Sequence, residues 1–318
     1  MVDVNEANFK PRPIAVPAFL SSDATLGQEV AAIIANDLES SGLFRALDPR
    51  SFIEKIGNPN VAPRVADWRA IGAEALVVGR VEPAQGGRLR AEFRLWDVVL
   101  GKQLVGQQLA TSSAAWRRLG HIVADQAWEK LTLEKGYFDT RIVFVDESGP
   151  KNRRVKRLSI MDQDGANARM LTSGKELVIT PRFSPNSREV TYMTYYRGSP
   201  RVMLMNIDNG EAHGVGDFPG MSLAPRFSPD GQRIVMSEGE GGRTRLVEMD
   251  LRSRQFRGLT QLQSIDTGPC YSPDGRSIVF ESDRDGTQQL YLMSAGGGGA
   301  QRLSRGEGRY STPVWSPR

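Results

Sequence analysis

Pro181-Arg182-Phe183-Ser184-Pro185, Pro225-Arg226-Phe227-Ser228-Pro229, Pro269-Cys270-Tyr271-Ser272-Pro273 and Pro313-Val314-Trp315-Ser316-Pro317 are four copies of one motif, each 44 residues after the last (225 − 181, 269 − 225, 313 − 269). A period of about 40–45 residues with strand-like content marks a β-propeller blade. One such unit cannot bury both faces of its sheet, so neighbours must stack around a shared core. Other landmarks keep the same step. Met161, Met205, Met249 and Met293 end the third strand of each unit, and Leu171, Val215, Leu259 and Leu303 lie on the fourth. Val190-Thr191-Tyr192, Ile234-Val235-Met236 and Ile278-Val279-Phe280 form the second strands. Before two of them, Asp230-Gly231 and Asp274-Gly275 supply residues that tolerate the left-handed conformations of tight hairpins. The column Phe183, Phe227, Tyr271 and Trp315 reads as packing between blades. The first unit begins at Thr140 with no Ser-Pro motif, so its innermost strand is missing; Thr312–Arg318 could supply it and close a four-bladed ring.

Upstream of the repeats the periodicity changes. Residues 13–20 read as a buried strand, and Ser22 or Asp23 as the cap of a helix reaching Ser41, with Val30, Ile33, Ile34 and Leu38 on one face and Gly42 as its stop. Ala75–Val81, Arg88–Val99 and Gln103–Leu109 follow as strands, then a helix capped by Ser112 or Ser113 and running to Leu133. The expected fold is therefore an α/β (α+β) N-terminal domain over residues 1–135, with a polar, mobile segment over 1–12, followed by an all-β propeller over 136–318.

Composition excludes several function classes. Of 318 residues, 39% are hydrophobic and 25% charged, as in an ordinary globular protein. The net charge is +4, and its arginines are scattered through the blades, which argues for solvated faces and against nucleic-acid binding. A single cysteine, Cys270, rules out an internal disulfide and a cysteine-based zinc cluster, and reads as a buried small side chain. There is no His-Glu-x-x-His, Gly-x-Ser-x-Gly, P-loop or dinucleotide fingerprint. The two histidines, His121 on a helix and His213 on an outer strand, read as structural, His121 through a local hydrogen bond. Asp162-Gln163-Asp164-Gly165 resembles the start of a calcium loop but lacks the downstream glutamate, so it reads as a hairpin turn, as does Asp283-Arg284-Asp285-Gly286. No catalytic residue, cofactor or metal is expected.

The innermost strand of a propeller blade starts at one rim of the ring. Residues just before each motif then line its mouth, and Thr180, Met221, Ser222, Ala224, Asp266, Thr267, Tyr310 and Thr312 are the candidate partner-binding positions there. Met221 and Thr267, one repeat plus two residues apart (267 − 221 = 46), should share that rim.

Arg12-Pro13-Ile14-Ala15-Val16-Pro17-Ala18-Phe19, the run Asp67-Trp68-Arg69-Ala70-Ile71-Gly72-Ala73-Glu74-Ala75-Leu76-Val77-Val78-Gly79, the helix from Gly120-His121 to Thr132, and the blade segments Ala224–Gly231 and Thr267–Gly275 resemble the TolB family of the Tol–Pal cell-envelope system. The resemblance spans essentially the whole chain. It implies a six-bladed propeller, so about two more blades would be expected beyond Arg318, and a signal peptide that the chain lacks. It implies a non-enzymatic periplasmic scaffold supporting outer-membrane integrity and cell division. The implied partners are the lipoprotein Pal at the propeller mouth, which ties the protein peripherally to the outer membrane, and TolA through Val2, Asp3, Val4 and Phe9 of the N-terminal segment. Colicins that imitate Pal and other envelope lipoproteins are further implied partners. Met221, Ala224 and Thr267 stand at Pal-contact positions, although the best-characterised members have histidine in place of Met221 and glutamate in place of Gly268. An accessory propeller of a serine peptidase is the alternative; it would need a hydrolase domain with a nucleophile elbow, which the chain does not contain.

Overall fold

The computed structural model describes residues 10–196, 198–216, 218 and 220–316, and its contacts divide the chain into two units, residues 1–141 with 162–164 and residues 142–161 with 165–318. Val2, Asp3, Val4 and Phe9 lie outside the described residues.

The first unit is built on a five-stranded sheet of β1 (Arg12–Ala15), β2 (Phe44–Ala46), β3 (Ala75–Ala84), β4 (Arg88–Asp97) and β5 (Lys102–Ser112), in the order β2-β1-β3-β4-β5. β1 pairs in parallel with β2 and β3, and β3 to β5 form an antiparallel meander. Strand alternation sends Val77 and Val81 to one face, where they meet α1 (Ala24–Ser40) and α3 (Arg117–Thr132). Leu76 and Val78 go to the other face, against Trp68 of α2 (Val65–Ala70). The sequence reading did not foresee α2.

Asp23 caps α1 as expected, its carboxylate accepting from the N–H groups of Thr25 (3.0 Å) and Leu26 (3.3 Å), and Gly42 ends that turn at φ +74°. The first strand is shorter than expected. It stops at Ala15, ahead of Pro17 with its missing N–H, and Leu20 makes only an isolated bridge to Arg80. Nor do the serines cap α3. A 3₁₀ turn over Ser113–Ala115 intervenes, and Ser113 Oγ donates to the Gly87 carbonyl at 2.8 Å instead.

The second unit is a series of antiparallel sheets with the propeller meander. The first has three strands, β6 (Arg141–Ser148), β7 (Val155–Asp162) and β8 (Arg169–Met170). Three four-stranded sheets follow. They are β9 (Val178–Phe183) to β12 (Ala212–Gly214), β13 (Met221–Phe227) to β16 (Phe256–Gly258), and β17 (Asp266–Tyr271) to β20 (Gln301–Arg302). Between them lie β10 (Glu189–Tyr196), β11 (Ser199–Asn206), β14 (Arg233–Glu240), β15 (Arg243–Asp250), β18 (Ser277–Ser282) and β19 (Gln289–Ser294). These are four propeller blades, the first without its inner strand, as the repeat implied. Residues 312–316 belong to no strand, so the described residues do not form the closure considered for Thr312–Arg318. The fourth-strand landmarks fall one residue past β8, β12, β16 and β20; Val215 and Leu259 are buried in the inter-blade cores, whereas Leu303 is exposed.

Two devices recur among the blades. In the Ser-Pro-Asp-Gly turns, Ser228 and Ser272 donate to Asp230 and Asp274, and each Oγ accepts the N–H that restarts the chain, Arg233 (3.0 Å) and Ser277 (2.9 Å). A second hydroxyl, 14 residues downstream, accepts a third-strand N–H: Thr172 for Leu158, Thr260 for Leu246 and Ser304 for Leu290, at 2.9–3.0 Å. The corresponding residue of the second blade is Gly216, which has no hydroxyl, and there Ser222 Oγ accepts the Val202 N–H at 2.9 Å.

Between the third and fourth blades, Glu248 is 4% exposed and accepts from the Tyr271 hydroxyl, Arg257 Nε (2.6 Å) and Arg233 (3.4 Å). Tyr271, Phe183 and Phe227 pack in the inter-blade cores as the aromatic column implied, but Trp315 is 36% exposed.

Candidate functional site

Thr180, Ala224, Gly268 and Thr312, each just before the proline of a motif, have φ of +51°, +54°, +59° and +54°. Their spacing is again 44 residues (224 − 180, 268 − 224, 312 − 268). The ladders show what happens there. Ile179 pairs with Met193 and Arg182 with Thr191; Leu223 pairs with Ser237 and Arg226 with Val235; Thr267 pairs with Glu281 and Cys270 with Val279. In each case three steps along the inner strand match two on its partner, which is a β-bulge. Three of the four residues are not glycine, and two are β-branched, for which a positive φ is a true outlier. Strain concentrated at one recurrent position is characteristic of a functional surface.

Around this rim the candidate residues divide. Thr180 and Thr312 are exposed, Met221 is 37% exposed at the first position of β13, and Ala224, Thr267 and Tyr310 are half-buried. Met221 lies over Gly239, where an added Cβ would come within 2.8 Å of its Cγ. Thr267 is on β17, the innermost strand of the next sheet, which packs against β13. By the 44-residue step Thr267 corresponds to Leu223 (267 − 44), so Met221 sits two residues further toward the strand start.

Tyr310 and Thr312 hang on the fourth sheet. Tyr310 N–H donates to the Gln288 carbonyl at 3.0 Å, and Thr312 N–H to Glu281 at 3.2 Å. Burial pushes the Glu281 carboxyl up from its ordinary value.

The structure corrects two positions. Ser222 is 1% exposed because its hydroxyl replaces the one missing at Gly216. Asp266 is fully buried and held by Arg284 (3.0 Å), Ser282 (2.6 Å) and Ser264 (2.7 Å). Neither side chain faces a partner.

A second cluster lies in the first unit. His121, on α3, is 2% exposed, and its Nδ1 is 2.6 Å from Asp37 of α1, itself 2% exposed. Gln163 donates to the other Asp37 oxygen at 2.8 Å. The local hydrogen bond expected for His121 is thus a tertiary one, spanning 84 residues. Burial pulls the imidazole pKa down, but the Asp37 hydrogen bond and the charges of Asp37 and Asp164 outweigh it, and the net shift is upward. Donor atoms of His121, Asp162 and Asp164 lie within 4.8 Å of one another, a spacing a cation could bridge. Arg117 is ion-paired to both carboxylates, however, and already supplies the positive charge. The Asp162–Gly165 segment is a hairpin turn, with Gly165 at φ +86°, as read from its missing glutamate.

Two family models match the chain: the TolB amino-terminal domain over residues 1–104 and the TolB beta propeller domain over residues 128–318. Among solved structures, TolB from Acinetobacter baumannii is 27% identical with a TM-score of 0.77, over 97% of this chain and 75% of that one. A putative TolB from Agrobacterium tumefaciens is 15% identical with a TM-score of 0.43, over 68% of this chain and 76% of that one. An oligogalacturonate lyase in complex with manganese is 14% identical with a TM-score of 0.45, over 71% and 64%. With one model covering β1 to β4 of the N-terminal sheet and another all four blades, the chain belongs to the TolB family, the non-enzymatic propeller scaffold of the periplasmic Tol–Pal system.

Proposed function

We propose that the protein works in the periplasm by docking the lipoprotein Pal on the propeller rim formed by Thr180, Met221, Ala224, Thr267, Tyr310 and Thr312, and by engaging TolA through its N-terminal segment. Colicins that imitate Pal, and other envelope lipoproteins, would use the same rim. The observation that carries this reading is the column of left-handed residues at Thr180, Ala224, Gly268 and Thr312, the first three of them at β-bulges. A bulge re-aims side chains where a strand ends, and a rigid, pre-organised rim lowers the entropy cost of binding a folded partner.

Met221 offers an adaptable apolar contact and Thr267 a hydroxyl, the mixture expected of a recognition surface with a polar rim. Titration calorimetry with the soluble domain of Pal tests this. Met221→Asp puts a charge on the rim without entering a blade core and should weaken binding at least about tenfold, equivalent to ~1.4 kcal/mol. Wild-type affinity in both Met221→Asp and Thr267→Lys would show that Pal binds elsewhere.

A further inference from the structure

Away from the bulges, the second residue of each motif is Arg182, Arg226, Cys270 or Val314. Arg182, Arg226 and Cys270 line a cavity of about 330 Å³ along the innermost strands, with Phe183, Phe227 and Tyr271 also in its walls. That volume is at the lower end of the range for small-molecule sites. Each guanidinium donates from one Nη to the carbonyl of its own preceding proline, Pro181 or Pro225, at 2.9 Å. Among the described residues neither forms an ion pair.

The contrast within the same unit is sharp. Arg233 and Arg257 share Glu248, Arg245 pairs with Glu238, and Arg284 with Asp266. Arg226 is half-buried, and its burial, together with the neighbouring charge of Arg182, holds it below its ordinary pKa. Arg182 is exposed, so the cost falls on Arg226: a half-buried charge beside a like charge and without a counter-charge is unfavourable in the unliganded protein. A ligand that supplies the missing negative charge removes that penalty. Guanidinium forks match the planar oxygens of carboxylate and phosphate groups better than any other side chain does.

We propose that this stretch of the propeller channel binds an oxyanion, the carboxylate or phosphate group of a small ligand, between Arg182 and Arg226. The apolar walls of Phe183, Phe227 and Tyr271 cover the remainder of the ligand, and Cys270 stands beside the site as a native reporter. This surface is separate from the bulged rim, since its residues follow the prolines instead of preceding them.

The test uses the chain as it stands, titrated calorimetrically at constant ionic strength with pyrophosphate in one arm and citrate in the other. At least one should bind saturably with one-to-one stoichiometry; the arm that binds identifies the oxyanion, and binding in both means that the charge alone is recognised. Arg226→Gln and Arg182→Gln should each weaken it at least about tenfold, with circular dichroism unchanged. Cys270 provides a second measurement that needs no variant. Anionic iodoacetate should alkylate it faster, relative to neutral iodoacetamide, in the folded chain than in the urea-unfolded chain, and the binding anion should slow both reagents. Absence of binding in both arms, or binding equally strong in the Arg182→Gln/Arg226→Gln double variant, overturns the proposal. If the double variant does not fold, an iodoacetate preference no greater in the folded than in the unfolded chain overturns it equally.

Discussion

Gly268 and Ala224 occupy the same bulge position in adjacent blades, with φ of +59° and +54°, yet one is glycine and the other is not. Exchanging them measures the strain. A non-glycine residue in the left-handed region costs ~1–2 kcal/mol, while glycine costs ~0.4–1 kcal/mol through the greater freedom of the unfolded chain. Ala224→Gly should therefore change stability by between about zero and +1.5 kcal/mol. Gly268→Ala runs the balance backwards and adds a contact. Its new Cβ would lie 3.1 Å from Glu281 Oε1, so the carboxyl that accepts the Thr312 N–H must move. Losing that hydrogen bond adds ~1 kcal/mol, for a total loss of ~1–3 kcal/mol. Urea denaturation followed by tryptophan fluorescence would measure both. Destabilisation by Ala224→Gly of more than about 1 kcal/mol would refute the claim that the rim is strained at that position. Gly268→Ala as stable as the parent would refute the packing argument at Glu281.

Glu248→Ala removes a carboxylate that three donors share and leaves the buried Tyr271 hydroxyl unpaired, while Arg233 keeps Asp230 and Arg257 keeps the carbonyls of Ala295 and Gly296; it should cost ~1–3 kcal/mol in the same denaturation experiment. Deleting residues 1–10 should abolish TolA capture on a sensor surface with little change in melting temperature; a large loss of stability would make the segment structural. For His121, a folded pKa raised above the unfolded value of ~6.5 means that its stabilisation is complete below that value and is lost as pH rises through the folded one. The melting-temperature gap between the parent and His121→Gln should therefore narrow from pH 6 to pH 9, and a gap that widens would show that the imidazole is buried neutral. The groups facing His121 are Asp37, Asp162, Asp164 and Arg117.

The blades were legible because a repeat is read directly: the motif, the methionines and the second strands each report the period independently. What was not legible depended on contacts the period does not encode. Ser222 reads as one more rim hydroxyl until Gly216 is seen to lack the one its blade requires. Asp266 reads as an exposed acid until the chain brings back Arg284, 18 residues later. His121 and Asp37 are 84 residues apart, and nothing in either helix marks the other as its partner. The hydroxyls at Thr172, Thr260 and Ser304 were available in the sequence, since they keep the 44-residue step, and could have been found by aligning the units column by column. The left-handed rim positions were nearly invisible, because Gly268 is the only one of the four residues whose identity signals a positive φ.

That signal was nevertheless present in a neighbouring column. Each of the four left-handed rim residues precedes a proline: Thr180-Pro181, Ala224-Pro225, Gly268-Pro269 and Thr312-Pro313. A β-bulge can form with its first residue near the right-handed helical region or in the left-handed one. The ring of a following proline disfavours the first of these. Where the inner strand must take an extra residue, the invariant proline of the repeat therefore steers the bulge into the left-handed form even at threonine. The strain is then not a property of Thr180 or Ala224 individually but of the motif, and it is sustained by the ladder pairs on either side, such as Leu223 with Ser237 and Arg226 with Val235. The same proline divides the inner strand in two. Residues before it form the bulged rim, and residues after it turn Arg182, Arg226 and Cys270 toward the channel cavity. One five-residue motif thus sets both surfaces, which is why substitutions on the rim and in the channel can be tested independently of each other.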